Sequence, residues 1–180
     1  MKKTTLFILL FTAFSILAQD KFKTSSAVVN FQASVPFFEE VKAVNKLGTI
    51  VLESQTSSLV CTVVIRDFQF KMDLMEEHFN ENYIESHRYP KAVFKGKIQN
   101  FDLKEVTENE KEYDVVGKLY LHGKSKVIAV KAFIKKVPEG GLQIISNFPI
   151  SVSDFNIKIP YIVANKISKT VQTDLSGIMK

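Results

Sequence analysis

The sequence predicts an all-β fold with one short helix, an antiparallel barrel of about eight strands. Three observations predict it. Apolar and polar residues alternate with a period of two over most of the chain beyond residue 20, the pattern of strands with one buried face. The five prolines and seven glycines are spread as turn punctuation and mark no linker, Glu139-Gly140-Gly141 being the clearest turn. One stretch near the middle leaves that period for helical spacing.

Residues 1–18 stand apart from the fold. Met1-Lys2-Lys3 carries two positive charges, an apolar and hydroxyl run of roughly 14 residues follows, and Ala18-Gln19-Asp20 ends it, the build of a secretory signal peptide. The run falls short of the ~20 residues a helix needs to cross a bilayer. With cleavage expected near Ala18, residues 19–180 form one domain, large enough to bury about two thirds of its surface on folding. No cysteine follows the cut to take a lipid anchor, and the lone thiol, Cys61, makes no internal disulfide, so stability rests on the core. Without Lys2 and Lys3, 22 Lys+Arg face 19 Asp+Glu, a formal charge of +3. The lysines are scattered singly, as at Lys95, Lys97, Lys118 and Lys131, so nucleic-acid binding is not expected.

The strands follow in order. Val29, Phe31, Ala33 and Val35 alternate with Asn30, Gln32 and Ser34. An eighth strand, less regular, falls around 38–44 or 47–52. Leu59, Cys61, Val63 and Ile65 form the next apolar set. Phe94, Gly96 and Ile98 oppose Lys95, Lys97 and Gln99, and Tyr113, Val115, Gly117, Leu119 and Leu121 oppose Asp114, Val116, Lys118 and Tyr120. Ile128, Val130, Ala132 and Ile134 come next, then Leu142, Ile144, Phe148, Ile150 and Val152. Ile167, Val171, Thr173 and Leu175 against Thr170, Gln172 and Asp174 end the series.

Such strands close as a barrel or stack as a sandwich, and the choice matters because a barrel of about eight strands is just wide enough to be filled by its side chains or to hold one ligand. Gly96, Gly117, Ala132, Ser146 and Thr173 fall on the inward face among large aliphatics, which leaves space along an axis. A strand glycine equally marks a bulge or a barrel corner.

The helical stretch reads DLMEEHFNENY from Asp73, with Met72, Met75, Phe79 and Tyr83 forming an apolar stripe. Asp73 and Glu76 have capping-box spacing, and Arg88-Tyr89-Pro90 ends the excursion because the residue before proline is pushed out of helical space. The stripe serves as core or as the wall of a lid.

Constellations for chemistry are sparse. His78 lacks a second histidine four residues away, so no hydrolytic zinc helix is present; Glu77, His78, Glu81 and His87 remain the nearest approach to a metal set, with a solvated polar face as the plainer reading. Cys61 sits in an apolar strand set, which buries a thiol and disfavours its reactive thiolate. No G-x-S-x-G elbow, phosphate loop or dinucleotide fingerprint appears. Neither catalysis, a cofactor nor a metal is expected.

Three stretches carry a family resemblance: FKMDLMEEHFNENYIESHRYPKAVFKGKI at 70–98, YDVVGKLYLHGKSKVIAV at 113–130, and FPISVSDFNIKIP at 148–160. In them the chain resembles the YceI-like lipid-binding proteins, where a short helix leads into a "yP.a.F" strand, here Tyr89-Pro90-Lys91-Ala92-Val93-Phe94, and a "G.L.ihG..k" strand follows, here Gly117 to Lys126. Residues 37–45 lack the glycine-rich element usual after the family's first strand, so the pocket mouth is expected to differ.

The resemblance implies a lipocalin-like barrel in the periplasm or beyond, with a long apolar lipid such as a polyisoprenoid or quinone-like molecule in its interior. The inward apolar candidates for contacting it are Phe31, Val63, Ile65, Phe68, Met75, Phe79 and Tyr83 from the first half of the domain. Phe94, Ile98, Leu119, Leu121, Phe148, Ile150 and Phe155 join them from the second. A membrane enters only as lipid donor, and a homodimer stays open. The competing readings are a solid-core structural or partner-binding barrel and a metal-dependent enzyme.

Overall fold

In the computed structural model, which describes residues 21–180, strand β1 (Lys21–Ser34) hydrogen-bonds on one side to β9 (Ile167–Met179) and on the other to β2 (Lys42–Glu53), and this double pairing closes a ring. The leader expected at 1–18 lies outside the described residues. Between them stand β3 (Ser58–Val64), β5 (Lys91–Ile98), β6 (Lys111–Leu121), β7 (Lys124–Lys136) and β8 (Leu142–Ser151), all antiparallel to their neighbours. The result is the expected eight-stranded antiparallel barrel, with one addition. A two-residue strand, β4 (Gln69–Phe70), pairs outside the ring with Val44 and Ala43 of β2.

The irregular eighth strand is one strand with a phase change. Ala43 and Asn45 point inward, then Gly48, Ile50 and Leu52, so the parity of the buried positions switches between Asn45 and Gly48, where the register with β1 also shifts. A bulge of this kind inserts one residue and flips the following side chains to the other face. Asn45 is fully buried there with its amide satisfied: Nδ2 donates to the Val64 carbonyl (2.9 Å) and Oδ1 accepts from the Leu47 N–H (2.8 Å). Residues 38–41 are not strand.

The helix α1 (Asp73–His78) continues into a π turn over Phe79–Tyr83. The capping box expected of Asp73 and Glu76 is not formed. Met72 is the N-cap and Asp73 is already helical, and the Glu76 carboxylate accepts from the Phe70 N–H (3.2 Å). The helix leaves β4 almost directly, so that carboxylate ties helix to strand rather than closing the helix's own end.

The interior divides into two. At one end Ile50, Leu52, Ile98, Ile134, Leu142 and Met179 fill the ring. Gly96 and Gly117 face each other across β5 and β6, and the Phe94 ring lies over both: a Cβ on Gly117 would stand 2.5 Å from Phe94 Cζ, from Gly96 Cα and from the Lys95 carbonyl oxygen. The space these glycines leave is therefore taken by an aromatic ring. At the other end Val29, Ala43, Val63, Ile65, Phe68 and Ile84 form a second cluster, joined to the first through Leu175.

One junction is incomplete. β7 pairs with β8 only from Phe133 opposite Ile145 to Lys136 opposite Leu142. Beyond it the two strands part, bridged by the Ser146 hydroxyl on the Lys131 carbonyl (2.6 Å), and the buried Phe155, from the turn Val152–Phe155, lies at the gap.

Gly117→Val is expected to lower unfolding stability by about 3 kcal/mol, the cost of overpacking against ring and backbone at once. Urea denaturation followed by far-UV circular dichroism reads it; an unchanged midpoint would mean that Phe94 does not fill this gap.

Candidate functional site

The second half of the barrel is hollow: a cavity of about 370 Å3 opens at the end that carries α1 and the β8–β9 connection, a size within the ~300–1,000 Å3 usual for small-molecule sites. β1 contributes Val29, Phe31 and Ala33, and the end of β3 and its following turn contribute Val63 and Ile65. Phe68 and Phe70, then Met75, Phe79 and Tyr83 from the helical stretch, cover one side. Ala92, Leu121 and Ile150 come from β5, β6 and β8, and Val171 and Thr173 from β9. The irregular β8–β9 connection adds Val152, Ile157, Ile159 and Val163.

Four phenylalanines make a continuous aromatic wall. Phe31 meets Phe68 at 5.1 Å, Phe70 at 5.7 Å and Phe79 at 5.4 Å between ring centroids, and Phe79 meets Phe70 at 5.1 Å; two of these contacts are edge-on, an arrangement the ring quadrupole favours. β4 brings Phe70 to this wall.

Polar groups are few and sorted by depth. Glu39, His78 and Lys166 are exposed and Ser168 is half-buried, all on the lining. Tyr83 is half-buried, and that burial pushes its phenol pKa up. Deeper, Thr173 is 7% exposed and its Oγ1 has no hydrogen-bond partner. A buried unpaired hydroxyl carries a desolvation cost that a ligand's polar atom would relieve.

The residues that carry the family resemblance hold this end together. His122 and Gly123 form the two-residue turn between β6 and β7, both at positive φ (48° and 69°), the backbone that matches the twist of a tight hairpin. Tyr89 stacks edge-on against the His122 ring (4.7 Å), and a Cβ on Gly123 would lie 2.6 Å from the Tyr89 ring. His122 Nδ1 donates to the Phe155 carbonyl (3.0 Å) and Nε2 meets the Glu85 carboxylate (3.2 Å). Arg88 pairs with the same carboxylate (2.6 Å) and, with His122 after it, holds the Glu85 carboxyl below its ordinary range. One imidazole thus joins three segments: the helical connection, the β6–β7 turn and the turn that carries Phe155.

Nine of the fourteen residues expected to contact a ligand line the cavity: Phe31, Val63, Ile65, Phe68, Met75, Phe79, Tyr83, Leu121 and Ile150. Five lie elsewhere. Phe94 covers the glycine pair, Ile98 is in the solid half, and Leu119 is buried opposite Phe94. Phe148 and Phe155 line the cleft at the β7–β8 gap, which shares Ile150 with the cavity. Val29, Ala33 and Val171 were missed although they stand on the same inward faces. Ile157 and Ile159 were missed because a connection without strand pairing gives no face to assign, their alternation being the one signal present.

Among the described residues no three His, Cys, Asp or Glu side chains gather as a metal set. Cys61 is buried in the solid half, and desolvation pushes its thiol pKa up to about 12.

A protein-family model described as YceI-like domain matches residues 21–177. The fold is similar to that of a polyisoprenoid-binding domain from Saccharophagus degradans implicated in plant cell wall breakdown, at 15% identity and a TM-score of 0.77, covering 89% of this chain and 97% of that one. It is similar also to BcnA of Burkholderia cenocepacia (16% identity, TM-score 0.68, 86% and 96% covered) and to a Campylobacter jejuni YceI protein (21%, 0.53, 79% and 83%). No curated protein sequence matches the chain significantly.

His122→Ala is expected to cost about 2 kcal/mol of stability by stripping two hydrogen bonds from a nearly buried ring, and to raise amide exchange at 84–90 and 152–157 together; exchange confined to one segment would refute the linkage. Cys61 should resist thiol reagents at pH 8 until the chain unfolds. Its folded pKa lies above the ordinary 9.0, so the thiol's contribution to stability is whole below pH 9 and is lost as pH rises from there toward 12. Cys61→Ala should flatten that fall in urea midpoints between pH 8 and 10.

Proposed function

Because the chain belongs to the YceI-like family, we propose that it is an exported binding protein that holds the hydrocarbon part of a long apolar lipid, polyisoprenoid or quinone-like, in the hollow half of its barrel and performs no chemistry on it. The observation that carries this reading is the cavity, walled by aliphatic and aromatic side chains with its charged groups at the rim. Apolar chain leaving water for such a wall gains ~0.8 kcal/mol per buried CH2 before the costs of binding are subtracted. Several isoprene units are enough for a stable complex.

The rim and the Thr173 hydroxyl set what specificity there is. A hydroxyl or carbonyl carried by the lipid would complete the hydrogen bonding of Thr173, and Lys166 or His78 would meet a polar end left at the mouth. The similarity to a polyisoprenoid-binding domain supports the ligand class, and the leader-like residues 1–18 support a periplasmic or external location. The reading of a solid barrel that binds only protein partners finds support in the filled half and is opposed by the open one.

Native mass spectrometry of protein isolated from the cell envelope should show an adduct with the mass of an isoprenoid lipid. Val171→Trp, which fills the cavity from β9, should weaken uptake of geranylgeraniol at least about tenfold, a loss of roughly 1.4 kcal/mol. Equal uptake by the filled variant would remove the cavity from the reading.

A further inference from the structure

We infer that the open end of the barrel docks on the surface of an anionic phospholipid bilayer, with Phe37, Tyr161 and Ile162 as the inserting tips, so that lipid passes between membrane and cavity without crossing water. The inference rests on the lipid-holding reading proposed above and goes beyond it by naming the partner surface.

Among the described large apolar residues, these three are the most exposed: Phe37 at 106%, Tyr161 at 96% and Ile162 at 81%, whereas those on the outer faces of the strands reach at most 62%. Single exposed apolar residues need no explanation. Their placement does. Phe37 stands in the β1–β2 connection two residues from Glu39, which lines the cavity, and Tyr161 and Ile162 stand between the lining residues Ile159 and Val163. On α1, Leu74 is 57% exposed and adjoins the lining Met75. The helix and the β8–β9 connection thus each turn apolar side chains into the cavity and neighbouring ones out to solvent, and the β1–β2 connection sets Phe37 beside the same mouth.

Phe37 adds a second observation. It sits at φ 70°, a left-handed conformation uncommon for a bulky residue, held by the Phe38 N–H on the Val35 carbonyl (3.3 Å). The strained turn presents a phenyl ring to solvent with no packing in return. Charge gives the third. Residues 156–169 carry Lys158, Lys166 and Lys169 and no carboxylate, and none of the three lysines joins an ion pair among the described residues. Tyr161 and Ile162 among unpaired lysines have the composition of segments that lie in a bilayer interface and are drawn to anionic headgroups.

The chain contains no tryptophan, so Phe37→Trp and Tyr161→Trp each introduce a single indole. With vesicles of phosphatidylethanolamine and phosphatidylglycerol, both should shift their emission to shorter wavelength and be quenched by brominated acyl chains, while Ile178→Trp on the outer face of the solid half should not. Binding should weaken as salt is raised. The triple change Phe37→Asp, Tyr161→Asp and Ile162→Asp should abolish co-sedimentation with vesicles and leave geranylgeraniol uptake in vesicle-free solution unchanged, because none of the three lines the cavity. Unshifted rim indoles beside intact uptake would overturn the docking alone, as would an equal shift at Ile178→Trp. A dimer that the triple change dissolves and vesicles do not displace would overturn it in favour of a second copy. Failure of the parent protein to take up the alcohol would instead overturn the lipid-holding reading beneath it.

Discussion

The ladder between β1 and β2 runs from Lys21 opposite Glu53 to Gln32 opposite Lys42, while the other edge of β1 is occupied by β9. Every one of the eight ring strands therefore has two neighbours, and none of them offers a free edge along its whole length. Closure also decides what the alternation of the sequence can accomplish. Side chains on the inner face have only one another, or a guest, for company, and their sizes determine which. The register shifts in β1 and β2 belong to this closure, since a bulge adds twist and lets one strand bend enough to serve two partners.

Inside the ring, size sorts the two ends. The solid end is made of large aliphatics and Tyr113, with the Phe94 ring folded over two opposed glycines. The hollow end has equally apolar walls, but its aromatic rings stand around the cavity in edge-on and tilted contacts. Three non-strand segments border that end, and the His122 imidazole ties together two of them and the β6–β7 turn. Among the residues by which the family is recognised in sequence, Tyr89, His122 and Gly123 thus hold the frame of the cavity, while Ala92 and Leu121 belong to its wall.

That division explains how much was legible beforehand. Strand identity and facing were readable because period two is a local property: Tyr113, Val115 and Leu119 are buried and Asp114, Val116 and Lys118 exposed, as the alternation required. The second strand resisted because a buried asparagine and a glycine sit where its phase changes, and a hydrogen bond to Val64, nineteen residues away, is invisible in a local pattern. The cavity wall was legible where it is built from strands and the helical stripe, and illegible along 157–163, where shape comes from a 3-10 turn and long-range packing. The same limit applies to depth. Phe94 and Phe31 look alike in sequence, one inward phenylalanine each, and only the glycine pair beneath the Phe94 ring, Gly96 and Gly117, decides that it fills a gap while Phe31 borders one.

The parting of β7 from β8 gives the container an uneven stiffness. Where backbone ladders join the strands, the circumference is fixed by hydrogen-bond geometry, and it cannot change without breaking bonds in series. Over Lys124–Ala132 of β7 and Ser146–Ser151 of β8 that constraint is absent, and the gap is spanned by the Phe155 ring, by Ser146 on Lys131 and by the ion pair of Lys126 with Asp154. Side chains change rotamer more cheaply than ladders change register. Because Ile150 belongs to both this gap and the cavity, the girth of the hollow half is held at one point by side chains in place of a ladder, and its wall is least constrained there.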